Sequence, residues 1–389
     1  MAEIVIHRTD AGTLPRRRRG SGEPVDARLL RTVSSALAPD HRAVSQLGVE
    51  TALEAMAPAT KAALAADLDC YVQWCAQERR VPLPADPEGL VLYLRQLEAD
   101  GKKPATLARR MASLASIHRL IGHGEKDGLP TDHPMVRNAL RANRRRKGAT
   151  QKQAAPLRFG GALNEDVKGF TITALLEACG GDLQGLRDAA LLSLGYDAGL
   201  RVSELTRVEC GHIDLQPDGS ATLFIPFSKT DQEQEGAWAW LSVETVRRVA
   251  AWQGQSAIVD GLLFRRVGVD RRRALQAGSE TALARTTYTI GTQALSRQGI
   301  NGIYRRVALA AFEMGLVSLP AGQLSAAIQA LSSHSLRVGL TQDLFAAGED
   351  GTGIAQALRW NSPTTALRYG RKLAVRNNVA ARVLSRVRR

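Results

Sequence analysis

Between Thr60 and Glu78, the residues Leu64, Leu68, Tyr71, Val72 and Cys75 recur at three- and four-residue steps. That spacing puts the apolar side chains on one face of an α-helix, a period no strand reproduces. The pattern returns before residue 147. Asp86-Pro87-Glu88 opens a helix through Leu90, Leu94 and Leu97, with Asp86 as N-cap and Pro87 in the first turn. A further helix follows Lys102-Lys103-Pro104, with Leu107, Met111, Leu114, Ile117 and Leu120 inward and Arg109 and Arg110 on the opposite face. The next runs from His133-Pro134 to Arg146. Helices with short connections bury such faces against one another, which predicts a compact helical domain over 46–146.

Arg144-Arg145-Arg146-Lys147-Gly148 through Pro156 is basic and nearly free of apolar residues, so 147–159 reads as a linker suited to a phosphate backbone. Residues 160–389 form a second, mostly helical domain, making the fold class mainly α. Its exceptions are the β-branched and aromatic stretches Ala221 to Phe227 and Ala237 to Leu241. They predict a small β-hairpin with Lys229 at the start of its loop. Arg266 to about Thr292 reads as a long irregular loop. Residues 1–45, with the run Arg16 to Arg19, read as a poorly ordered basic tail, either solvated or contacting phosphate. Repeats are absent.

The formal net charge is +14 and the pI about 10.1, which points to a polyanionic partner. No apolar run is long enough to cross a bilayer, and the first residues show no apolar signal-peptide core, so nucleic acid is the expected partner rather than a membrane. Cys70, Cys75, Cys179 and Cys210 form no CxxC pair. They read as reduced, mostly buried thiols of a cytoplasmic protein, with neither a zinc site nor a disulfide framework.

Three clusters carry the chemistry. Gly195 and Gly199 interrupt an apolar helix just before Arg201, which shares a helical face with Glu204. His334 and Arg337 lie three residues apart in Ser333-His334-Ser335-Leu336-Arg337-Val338-Gly339. Arg359-Trp360-Asn361-Ser362-Pro363 precedes a helix presenting Tyr369. Singly these also fit a surface ion pair, a histidine near a helix start and a core tryptophan. Together they fit phosphodiester cleavage without metal. The five-coordinate phosphorus gathers negative charge that preorganised arginine forks can meet, and the acidic residues do not cluster as metal ligands.

The strings Gly199-Leu200-Arg201-Val202-Ser203-Glu204-Leu205 and His334-Ser335-Leu336-Arg337-Val338-Gly339, the hairpin lysine, and Trp360 nine residues before Tyr369 resemble the tyrosine site-specific recombinases, or phage integrases. Tryptophan before the nucleophile is similar to the Cre subgroup. So are Tyr71-Val72-Gln73-Trp74-Cys75 and Asp86-Pro87-Glu88, whose domain resembles a four- or five-helix, SAM-like core-binding domain. The resemblance covers roughly 58–389. It implies that Tyr369 attacks the scissile phosphate to give a 3′-phosphotyrosyl bond. Arg201 and Arg337 clamp its oxygens, and His334 bonds the phosphate and helps manage the phenol proton. Trp360 packs on the site, Lys229 protonates the leaving 5′-oxygen, and Glu204 holds the site in register. A free phenol has a pKa of about 10, so a cationic pocket matters. No cofactor, metal or ATP is implied.

The resemblance further implies recombination through a Holliday junction on duplex DNA carrying an inverted repeat with a central spacer. The two domains form a clamp around the duplex, and a homotetramer assembles by exchange of a C-terminal helix, 374–388. Val375, Val379, Val383, Leu384 and Val387 form that helix's apolar stripe. Arg297, Gln298 and Asn301 are base-contact candidates on a helix near Ser296 to Tyr304. Lys61, Arg109 and Arg110, with Arg144, Arg145 and Arg146 of the basic run, are DNA-contact candidates in the first domain and linker. A cytoplasmic location on a nucleoid, phage or plasmid is expected. The alternatives are a catalytically inactive sequence-specific DNA-binding protein and a type IB topoisomerase-like nicking-closing enzyme.

Overall fold

Proline at the first helical position recurs in the N-terminal half, where its missing N–H costs no intrahelical hydrogen bond. The computed structural model describes residues 6–8, 23–39, 41, 44–123, 128–148, 153–159, 169–226, 235–272, 286–376, 383–384 and 387, with backbone alone at 6–8 and 371–376. The chain packs as two units, Arg16–Lys152 and Gln153–Arg389 with Met1–Pro15. Among the described residues the first holds α1 (Val25–Ala36), α2 (Gln46–Glu54), α3 (Pro58–Gln77), α4 (Pro87–Ala99), α5 (Pro104–Leu120) and α6 (Pro134–Lys147). Asp86 caps α4 by accepting from Glu88 N at 2.8 Å and Gly89 N at 3.0 Å.

The core of this unit joins Leu68, Tyr71, Leu90, Leu94, Leu107, Met111, Leu114, Ile117 and Val136. Each buried aliphatic contributes on the order of 1.5–3 kcal/mol against exposure. Tyr71, Trp74 and Tyr93 make an aromatic cluster with centroids 5.1 to 6.0 Å apart. Asp67 is buried in the middle of α3, where a carboxylate needs partners. It accepts from Arg109, and from Ser113 Oγ at 2.7 Å. The Arg110 guanidinium lies 3.8 Å from it and donates to Tyr93 Oη.

The second unit is built on α8 (Leu183–Asp197), preceded by α7 (Ile172–Glu177) and followed by α9 (Val202–Leu205). Leu191, Leu192, Ser193, Leu194 and Gly195 are all buried, so α8 is enclosed on every side. Of the later helices, α10 (Val243–Ser256) and α13 (Ser335–Ala346) pack on α8, and α11 (Arg297–Glu313), α12 (Ala321–Ala330), α14 (Gly351–Ala357) and α15 (Pro363–Arg376) complete the helices of the unit among the described residues. Strands β2 (Ile213–Leu215), β3 (Ala221–Ile225) and β4 (Ala237–Leu241) form an antiparallel sheet in that order. Its β3–β4 pair, with Leu223 opposite Ala239, is the expected hairpin.

Three expectations need correction. The segment 266–292, read as irregular, contributes β5 (Arg265–Asp270) and most of β6 (Thr287–Ala294), an antiparallel pair extended by β1 (Ile6–Arg8), parallel to β6. Alternation there is weak because Val267, Tyr288 and Ile290 supply most of the burial and polar residues fill the other positions. The poorly ordered tail over 1–45 does not hold for β1 or for α1, whose Leu29 and Val33 are buried. The linker over 147–159 is in its last part core. Leu157 is fully buried, its N–H donates to Ser335 O at 3.0 Å, and its carbonyl lies where a Cβ at Gly339 would collide. Arg158 Nε donates to Asp343 at 2.6 Å, and Asp343 also accepts from Phe159 N and Tyr196 Oη. Polar composition hid this because the charged partner lies 185 residues away.

Candidate active site

The turn after α8 sets the first arginine. Gly199 takes a φ of +54°, a conformation glycine adopts without a Cβ penalty, and Arg201 becomes the N-cap of α9. Glu204 answers it twice, accepting from Arg201 N at 2.8 Å and from Arg201 Nη1 at 2.7 Å. The expected shared face is therefore a buried pair, with the Glu204 side chain 1% exposed. Burial alone would raise the Glu204 pKa, but the Arg201 hydrogen bonds and the charges of Arg201 and Arg359 hold it below the ordinary carboxylate value.

Helix α13 carries the second cluster, with His334 as its N-cap residue. Arg337 is almost wholly buried and donates to the carbonyls of Gly199 and Leu358. Its guanidinium also lies 4.8 Å from the Trp360 ring centre. Burial and the nearby Arg201 push its pKa down to about 9, which leaves it charged at neutral pH. Burial and the charges of Arg337, Arg201 and Arg297 push His334 down to about 4, so the imidazole is neutral there.

Helix α15 delivers the tyrosine. Tyr369 Oη lies 2.9 Å from His334 Nε2, and its ring stacks on Trp360 at 5.3 Å and an interplanar angle of 7°. The backbone of α15 is held as well: Gln153 Nε2 donates to Arg368 O at 2.6 Å, and Gln342 Nε2 to Tyr369 O at 3.3 Å.

Five expected residues thus meet Tyr369 in one site: Arg201, Glu204, His334, Arg337 and Trp360. Lys229 lies outside the described residues. Sequence reasoning missed Arg359. Its side chain is 9% exposed, its Nη2 donates to Ala198 O at 2.9 Å, and it lies 3.6 Å from Glu204 Oε2. Its φ of +55° costs a non-glycine residue on the order of 1–2 kcal/mol, and no sequence pattern announces that.

The DNA-contact candidates divide. Arg297 and Gln298 are exposed in the first turn of α11, whereas Asn301 Oδ1 accepts from Ser333 N at 2.9 Å, tying α11 to the residue before His334. Arg144 and Arg145 are exposed on α6, and Arg146 pairs with Glu98 at 2.7 Å. Lys61 pairs with Asp26 at 2.7 Å. Arg109 and Arg110 serve the buried Asp67, and Arg110 is the more enclosed, with 14% of its side chain exposed. All four cysteines are free, with Cys75 buried and the others partly buried. Among the described residues no helix is long and apolar enough to cross a membrane.

Comparison with known proteins places this geometry. The model of the phage integrase family matches residues 166–375. An integrase/recombinase XerD homologue of Selenomonas ruminantium is 31% identical over 212 residues, 53% of this chain and 59% of the relative, so the match spans less than two thirds of that protein. The Cre recombinase of Escherichia phage P1 is 27% identical over 320 residues, 81% of this chain and 84% of the relative. The fold is similar to the XerH site-specific recombinase bound to a palindromic difH substrate, with a TM-score of 0.53, 14% identity, and coverage of 94% of this chain and 93% of that one. It is also similar to the Tn1549 transposon integrase in complex with circular intermediate DNA, with a TM-score of 0.51, 12% identity, and coverage of 89% and 94%.

Proposed function

The chain belongs to the phage integrase family, and from that membership we propose that it is a tyrosine recombinase that cuts and rejoins duplex DNA at a specific site. The observation that carries the reading is the contact between Tyr369 Oη and His334 Nε2, at 2.9 Å, beside two buried or half-buried arginines. The phenol oxygen attacks the scissile phosphorus. The P–O5′ bond breaks and a 3′-phosphotyrosyl bond forms. Neutral His334 receives the phenol proton through Nε2. Arg201 and Arg337 face the non-bridging oxygens, whose charge grows in the transition state. Trp360 keeps the phenol ring in place by stacking. Lys229 supplies the proton for the leaving 5′-oxygen, an alkoxide too basic to depart unaided. Because the phosphodiester energy persists in the protein–DNA bond, a 5′-hydroxyl reverses the attack and reseals a strand.

The substrate is a duplex with an inverted repeat and a central spacer, and two such sites recombine through a Holliday junction within a homotetramer. The DNA-bound states named for XerH and the Tn1549 integrase support a DNA partner. The exposure of Val383, Leu384 and Val387, at 50%, 46% and 74%, supports a C-terminal segment that docks on a neighbouring copy. The core-binding unit over 46–146 and the exposed Arg144, Arg145, Arg297 and Gln298 supply phosphate and base contacts, which makes affinity steeply salt-dependent.

The test is to select a binding duplex from a random pool, nick it within the site, and incubate it in EDTA with wild type and Tyr369→Phe. A covalent protein–DNA band with wild type alone is expected. Tight binding without a band moves the reading to an inactive sequence-specific DNA-binding protein.

A further inference from the structure

Arg359, like Arg337, gives its guanidinium to a backbone carbonyl, but it also reaches the carboxylate that holds Arg201. Its guanidinium turns inward, donating to the carbonyl of Ala198 at 2.9 Å and lying 3.6 Å from Glu204 Oε2. Ala198 closes α8, three residues before Arg201. Glu204 is the carboxylate that grips Arg201 from two directions. On its own segment, Arg359 is followed directly by Trp360, whose ring stacks on Tyr369 and lies 4.8 Å from the Arg337 guanidinium. One side chain therefore links the segment bearing Arg201 to the segment bearing the tryptophan and the nucleophile.

The backbone strengthens the point. At a φ of +55°, glycine is free of strain and arginine is not. Arg359 Nε is buried without a hydrogen-bond partner among the described residues. Burial lowers the basicity of the guanidinium, and Glu204 opposes that loss. A strained backbone and an incompletely satisfied buried cation together make a poor contribution to folding, so the contacts to Ala198 and Glu204 need another explanation.

We infer that Arg359 is a positioning residue for strand cleavage, fixing the Arg201–Glu204 pair relative to the Trp360–Tyr369 stack. The inference rests on the proposed reaction. Arg359 bridges two parts of the site, and it leaves the phosphate to Arg201 and Arg337. With the bridge gone, the nucleophile and the phosphate clamp drift relative to one another, and in-line attack needs both in register.

The experiment compares wild type, Arg359→Gly and Arg359→Lys on the nicked duplex selected by the protein itself. It reads single-turnover cleavage across DNA concentrations, DNA affinity and thermal melting. Glycine suits the left-handed backbone, so Arg359→Gly is expected to melt close to wild type and to bind DNA equally well. Its saturating cleavage rate is expected to fall on the order of 10²-fold, as a displacement of about 1 Å does in a preorganised site. Arg359→Lys keeps a cation near Glu204 and is expected to recover part of the rate. Wild-type cleavage by Arg359→Gly overturns the inference. So does a rate loss matched by equal losses in affinity and melting temperature, which marks a purely structural residue. No adduct with wild type itself sinks the proposed reaction, and the inference with it.

Discussion

The imidazole Nε2 of His334 lies 2.9 Å from the phenol oxygen of Tyr369, and the ring is held neutral by burial beside Arg337, Arg201 and Arg297. A neutral imidazole accepts a proton at physiological pH, which an imidazolium cannot. In the free protein, the His334 ring signals in an NMR titration are expected to stay in the neutral form from pH 8 down to about 5.5, with a midpoint at about 4. A midpoint at the ordinary histidine value of 6.5 defeats this assignment. His334→Ala is expected to slow cleavage by roughly 10²–10⁴-fold, the usual contribution of a positioned acid or base.

Glu204 is the buried counter-charge of the site. Removing it leaves Arg201 and Arg359 facing each other without a carboxylate between them. Glu204→Ala is expected to destabilise the protein by about 3–5 kcal/mol, and Glu204→Gln by less because its amide oxygen still accepts. Urea unfolding measures both. Because its folded pKa is depressed, the stability that Glu204 contributes is present above its ordinary carboxylate value and is lost as pH falls below it. The wild-type advantage over Glu204→Gln should shrink on acidification, and an advantage that is constant with pH contradicts the pairing.

Trp360 makes two contacts in the site, a stack on Tyr369 and a cation–π contact with Arg337. An aromatic pair with a cation–π contact is worth about 1–2 kcal/mol. Trp360→Ala is expected to lower single-turnover cleavage by roughly tenfold or more. Trp360→Phe retains a stacking ring and should lie closer to wild type. Equal rates for the two variants would show that stacking is irrelevant.

A Cβ at Gly339 collides with the backbone carbonyl of Leu157 rather than with a flexible side chain. Gly339→Ala should therefore force α13 away from the 153–159 segment, at about 1–3 kcal/mol. Since α13 carries Arg337 and begins at His334, cleavage should fall with stability. Unchanged melting in this variant refutes the close approach.

In the N-terminal unit, His118 is fully buried, accepts from Ala85 N at 2.9 Å, and shares a 2.7 Å contact with Leu114 O. Burial is the main cause, with His123 and His41 nearby, of a pKa lowered to about 4. The unfolded chain thus takes up a proton near pH 6.5 that the folded unit refuses. Stability is complete above that pH and declines on acidification until about pH 4. The full loss is on the order of 3 kcal/mol. Chemical unfolding at pH 7.5 and 4.5 should reveal it, and His118→Gln should lose less between the two. Equal acid sensitivity of the variant rejects His118 as the source.

Periodicity determined α3, α4 and α5, because apolar residues at three- and four-residue steps such as Leu64 to Cys75 leave a chain one way to bury them, whereas α1 escaped it. The order Arg201, His334, Arg337, Trp360, Tyr369 was equally legible, since chemistry selects residue types and local spacing survives in sequence. Tertiary structure decided what those side chains touch. It took the Asn301 carbonyl for Ser333 N, enclosed Arg110 against Tyr93, sank Leu157 into the second unit's core, and turned Arg359 inward at a left-handed φ. Each depends on a partner brought close by the fold, often more than a hundred residues away. A local pattern records which face of a helix is apolar; it holds no record of what that face will meet.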